Sequence, residues 1–223
     1  MLIAKRLPLA LLVLPLIASG CAKNDEITAI GGSIGQEIKR TSCPALGVPA
    51  DTGDVTLFDP AASRDSRAID VVATITELRG NCDDSDEKNP APTLATTATF
   101  RVDARRSAAS GARDVILPYY AVMMRGGMQI VSKSTSQVLI HFDDGKLLAS
   151  TTGQATSSVS RADATMPEAV RQRISRKRKA DDADASIDPM SDPSVRAALA
   201  KASFEMLIGF QLSNEQLAYN ATR

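Results

Sequence analysis

Over residues 69–142 the apolar side chains return at every second position, a period with which a chain buries one face as β-strands and not as helices. Ile69, Val71, Ala73 and Ile75 share one face of a strand expected over residues 69–78. Leu94, Ala98, Phe100, Val102 and Ala104 share another, with Thr97, Thr99, Arg101, Asp103 and Arg105 on the opposite side. Residues 115–124 are apolar at both parities, as in a central strand. Residues 128–142 follow across Gly126-Gly127, a hairpin turn signal, so these two segments are expected to pair. Phe204, Met206, Ile208, Phe210 and Leu212 alternate near the C-terminus. Residues 55–58 and 154–160 are shorter candidates.

Turn-rich loops separate most of these segments, and no βαβ rhythm is present, which argues against a parallel doubly wound sheet. The expected fold is mainly all-β: an antiparallel β-sandwich of six or seven strands, immunoglobulin- or fibronectin-III-like. Residues 42–165 and 203–223 are assigned to it. Residues 166–202 break the pattern. They are charged and alanine-rich and read as an insertion, helical or disordered, before the last strand. Pro167-Glu168 suits a helix start, and residues 194–202 suit a second short helix.

Residues 1–20 are not fold material. Lys5 and Arg6 form a short basic n-region, and residues 7–17 an apolar run about half the ~20 residues a membrane span needs. Ala18-Ser19-Gly20 then place small side chains before Cys21, as a signal peptidase requires. Residues 21–41 are polar and contain Gly31, Gly32 and Gly35, so they read as a flexible tether. Basic and acidic residues balance at 26 each. Loss of Lys5 and Arg6 with the leader leaves 24 basic residues against 26 acidic ones, which is not the charge of a general nucleic-acid binder. Trp is absent and aromatics make up 4% of the chain, too few for a stacking surface.

Ala18-Ser19-Gly20-Cys21 resembles the lipobox of bacterial lipoproteins, although Ala18 stands where that family usually has Leu. The resemblance implies that Cys21 is acylated and becomes the mature N-terminus, so that the chain meets the membrane through lipid. Ala22 stands where an Asp would resemble the inner-membrane retention signal, which implies the periplasmic face of the outer membrane. Several acyl chains anchor durably where one binds only marginally.

With Cys21 committed to lipid, Cys43 and Cys82 remain. In an exported, oxidising compartment they are expected to form a disulfide; two free thiols or an intermolecular bridge are the alternatives. The long spacing and the lack of a nearby His argue against a metal. His141 is the single histidine, and no pattern links it to a nucleophile. No G-x-S-x-G, P-loop or G-x-G-x-x-G motif occurs. No catalytic residue, metal site or cofactor is therefore assigned. Asp83, Asp84, Asp86 and Glu87 supply hard oxygens suited to Ca²⁺, but they lack the Gly and distal Glu of an EF-hand and read first as a solvated loop. Arg171, Arg173, Arg176, Lys177, Arg178 and Lys179 are a candidate patch for an anionic partner. The adjacent Asp181, Asp182 and Asp184 offer a simpler account, mutual neutralisation.

The C-terminal FEMLIGFQLSNEQLAYN, ending at Asn220, resembles the end of a family of uncharacterised Gram-negative lipoproteins. So do Cys43-Pro44-Ala45, the strand at 55–58, Cys82, and Leu117-Pro118-Tyr119-Tyr120-Ala121-Val122. This resemblance implies an exported, lipid-anchored β domain and no particular activity. The functional expectation is a non-enzymatic envelope module that contacts another envelope protein or the cell wall, with no nucleic-acid partner. The alternative is a small-ligand or metal-binding envelope lipoprotein.

Overall fold

A computed structural model describes residues 41–84, 90–176, 182–183 and 186–222. The leader, Cys21, nearly all of the expected tether and Lys177, Arg178 and Lys179 lie outside the described residues. Among the described residues eight strands form two four-stranded sheets. They are β1 (Ala45–Gly47), β2 (Asp54–Phe58), β3 (Ile69–Cys82), β4 (Thr93–Arg106), β5 (Arg113–Arg125), β6 (Gln129–Phe142), β7 (Leu148–Ser160) and β8 (Phe204–Phe210). One sheet has the order β1-β8-β5-β6, the other β2-β3-β4-β7. Every pair is antiparallel except β1, which runs parallel to β8 over three residues. The layers are those of the expected sandwich, and β2, β3 and β4 lie side by side in one sheet as a meander.

The alternation sets which faces meet. Val71, Ala73 and Ile75 of β3 and Leu94, Ala98, Phe100, Val102 and Ala104 of β4 are buried. They face Leu117, Tyr119 and Met123 of β5, Ile140 and Phe142 of β6, and Met206, Ile208 and Phe210 of β8 in one core. The Phe100 and Tyr119 rings meet edge to face at 5.1 Å across the two sheets. The Tyr119 hydroxyl donates to the Gln154 carbonyl oxygen at 2.6 Å, which satisfies its polar tip inside the core. Gly153 has no Cβ because the Phe100 ring occupies that space; an added Cβ would sit 2.3 Å from it. β5 is central, as its doubly apolar pattern implies, although Ile116 on its outer face is exposed.

The end of the segment before β8 is built into the domain. Helix α1 (Arg161–Ala164) follows β7, and α2 (Glu168–Ser175) and α3 (Pro193–Ala202) follow in turn. Asp192 caps α3 by accepting from Ser194 N–H at 2.8 Å, with Pro193 in the first turn. Val195 of α3 is fully buried, so this helix is packed structure. After β8, α4 (Asn214–Thr222) lies along β2. Tyr219 meets the Phe58 ring edge to face at 5.1 Å, and Asn220 Nδ2 donates to the carbonyls of Asp51 and Asp54, both at 2.9 Å. Tyr219 and Asn220 thus tie down the terminal helix.

Candidate functional site

The sandwich has two poles, and each is organised by an arginine. At one pole Arg106, 3% exposed, threads between two loops. Its guanidinium donates to the carbonyls of Lys146 and Gly111 (2.7 Å each), Ala109 (2.7 Å) and Asp143 (2.9 Å), and it lies 5.3 Å over the Phe142 ring. Four of the five N–H donors find carbonyls and the planar face lies on a ring, which lysine cannot do. This arrangement fixes loops.

At the other pole Asp84, just after Cys82, is the hub. Its carboxylate accepts from Ser42 N–H at 2.7 Å, from the Thr41 hydroxyl at 3.0 Å and from the Arg161 guanidinium. Arg161 also donates to the Ala91 carbonyl at 2.6 Å. The Cys43–Cys82 disulfide lies beside this knot. The start of the described chain is therefore pinned to β3, to the β3–β4 connection and to α1. For Asp84 the largest single influence on its pKa is burial, which opposes ionisation. The hydrogen bonds from Ser42, Arg161 and Thr41 outweigh it and hold the carboxyl below its ordinary value of 3.8. A depressed folded value means that this stabilisation is present above the unfolded pKa and is lost as pH falls through the folded one. Asp84→Asn is therefore expected to lower the melting temperature at pH 7 and to lower it less at an acid pH well under the ordinary carboxyl value of 3.8. Melts at both pH values, followed by circular dichroism, check this. An equal loss at both would remove the ionic role.

The acidic loop at 83–87 is only partly described. Asp84 is engaged as above, Asp83 has its own partner, and Asp86 and Glu87 lie outside the described residues. Among the described residues no group of three or more His, Cys, Asp or Glu side chains is placed to hold a metal.

The described part of the basic run is paired with acids. Arg171 bonds to Glu168, Arg173 Nη1 lies 2.7 Å from Asp192, and Arg176 Nη2 lies 3.9 Å from Asp182. Asp182 belongs to the acidic cluster that follows the run, whereas Glu168 and Asp192 lie outside it. His141 projects from the outer face of β6. Its Nδ1 lies 2.5 Å from Asp114 and its Nε2 3.5 Å from Asp143. The hydrogen bond to Asp114 is the main cause that raises its pKa above 6.5. Both ring nitrogens face carboxylates, an arrangement that stabilises imidazolium and not a base poised against a nucleophile.

The larger concavities are open. One of about 770 Å³ lies between β2 and the start of α4, lined by Leu57, Phe58, Arg64, Asp70 and Glu215. Arg64 stacks 5.3 Å over Phe58 and attracts Glu215 across it. Sequence reading missed this groove and the Arg106 centre alike. A lone Arg or Glu in a loop has no periodic signal, and only folding brings these residues together.

The described architecture is thus an eight-stranded β-sandwich. No family model matches the chain, and no curated protein or solved structure matches it either. Among the described residues no helix is long and apolar enough to cross a membrane.

Proposed function

We propose that this chain is a lipid-anchored, non-enzymatic module of the bacterial envelope. It is held at the periplasmic face of the outer membrane through acyl chains on Cys21, and its sandwich engages another envelope protein or the cell wall. The observation that carries this reading is the Cys43–Cys82 disulfide. Such bonds persist in oxidising, exported compartments and are rare where thiols are kept reduced. That agrees with the basic-apolar-small pattern of residues 1–20 and with a cysteine directly after it. The non-enzymatic part is supported by His141, whose neighbours are two carboxylates. The engagement of Asp84 by Arg161, Ser42 and Thr41 favours this reading over a metal-binding one centred on the acidic loop.

The test is metabolic labelling with a radioactive or clickable palmitate. The wild-type chain is expected to carry label and Cys21→Ser to carry none. Equal labelling of the two would overturn the anchor.

A further inference from the structure

The β5–β6 hairpin ends in an apolar tip that none of the described strands covers. Gly126 and Gly127 both take positive φ, 59° and 70°, and Met128 N–H closes the turn on the Arg125 carbonyl at 3.3 Å. Met128, Ile130 and Val131 are 86, 61 and 49% exposed. The register shifts here, so that Ile130 pairs with Met124 while Ser132 pairs with Met123. Val131 is the extra residue of that bulge, and two adjacent apolar side chains reach the surface together. β6 is exposed on both faces from Gln129 to Gln137, along the edge of its sheet.

Single exposed apolar residues are ordinary on any protein, and Ile116, Leu139 and Leu148 are examples here. The place of this tip sets it apart. Arg125 at its base lies 3.1 Å from Asp163 of α1 and donates to the Lys201 carbonyl at 2.6 Å. Two residues away in α1, Arg161 holds Asp84, and Asp84 holds Thr41 and Ser42. An unbroken series of contacts therefore joins the tip to the point where the chain from Cys21 enters the sandwich. Residues 21–40 are all that separates that point from Cys21.

We infer that the β5–β6 tip is a second membrane contact. Met128, Ile130 and Val131 dip into the interfacial layer of the bilayer that holds the anchor, and the sandwich stands with its Asp84–Arg161 pole toward the lipid. The inference rests on the lipid-anchor reading of Cys21. Three side chains are too few to hold a protein on a membrane alone. With the anchor in place the second contact is intramolecular, and its high effective concentration lets a weak interaction persist. Lys133, two residues beyond Val131 and stacked 5.3 Å over Tyr120, flanks the tip with a cation suited to anionic head groups.

The chain contains no Trp, so one introduced indole reports its own surroundings. Met128→Trp replaces a side chain already in solvent. Leu147→Trp, in the loop that the Arg106 guanidinium braces, is the control at the opposite pole. Each full-length chain, expressed with its leader and purified in detergent, is reconstituted into vesicles of phosphatidylcholine and phosphatidylglycerol. Part of the phosphatidylcholine carries bromine on its acyl chains. Flotation reports anchoring, and emission reports the tip. The expected result is flotation of both variants with a blue shift and loss of roughly half the emission for Met128→Trp alone, as suits insertion of about 5–10 Å. Flotation with equal, unquenched emission from both variants overturns the tip contact and leaves the anchor standing. A failure of both variants to float, with no quenching, overturns the tip contact and the anchor together.

Discussion

Replacement of Arg106 by methionine is expected to destabilise the domain by about 3 kcal/mol, since it strands buried carbonyls that a charged donor now satisfies. The stem of methionine fills the channel through which the arginine passes. The loss then reports the four hydrogen bonds to Lys146, Gly111, Ala109 and Asp143 and the stacking on Phe142, not a cavity. For a domain of this size that corresponds to a fall of roughly 6–12 °C in melting temperature. Arg106→Lys keeps the charge but presents a point donor where a planar fork is needed, and is expected to recover less than half of the loss. Thermal and urea melts of the three proteins decide it. A change of less than about 2 °C in Arg106→Met would mean that water replaces the guanidinium without penalty.

Removal of the Cys43–Cys82 disulfide is expected to have an effect at least as large. The bond closes a separation of 39 residues, and constraint of the unfolded chain over a loop of that length stabilises by about 3–4 kcal/mol. The double variant Cys43→Ala/Cys82→Ala is expected to unfold at a correspondingly lower urea concentration and to be indifferent to reductant. The wild type in reductant should move to the same midpoint. Local consequences are expected first at β1, which pairs with β8 through only Ala45, Leu46 and Gly47 and lies directly after Cys43. Amide exchange at those three residues should accelerate before exchange in β4 or β5. Coincident midpoints for the wild type with and without reductant would show that the Asp84 hydrogen bonds alone secure this end.

The strands found and missed follow from how far a signal can travel along a chain. β4 alternates over its whole length, and its buried and open faces fall as the parity of residues 94–105 implies. β6 begins within a residue of its expected start, because Gly126 and Gly127 supply the two positive-φ positions of its turn. β7 is longer than expected, starting at Leu148. Its first half reads Leu-Ala-Ser-Thr-Thr, without large alternating side chains, and hydrogen bonds to β4 hold it in place. β1 has three residues and a parallel partner 160 positions away, so no local pattern announces it. The helix 214–222 carries no apolar alternation of the kind that marks the strands. Its burying surface is supplied by β2, and its hydrogen bonds go to Asp51 and Asp54.

The sites divide in the same way. The cysteine pair was legible because two cysteines remaining in a chain whose leader reads as secretory have few other expected uses. The acidic stretch at 83–87 read first as a solvated loop, with Ca²⁺ as the lesser alternative, whereas Asp84 serves as the acceptor for Arg161, Ser42 and Thr41. Carboxylate density in a sequence does not distinguish a ligand from a structural acceptor. That distinction depends on which donors the fold brings within about 3 Å.

Period, turn residues and cysteine number, read along the chain, determined a two-layer β-sandwich, its buried faces, its β5–β6 hairpin and its disulfide. All of these depend on neighbours a few residues apart or on a count. Tertiary structure decided the strand order, the parallel β1–β8 pair, the burial of Arg106 among four carbonyls and the grouping of Thr41, Asp84, Arg161 and the Met128 tip at one pole. These depend on contacts between residues tens of positions apart. Such contacts form only after loop closure has been offset by burial of the shared core.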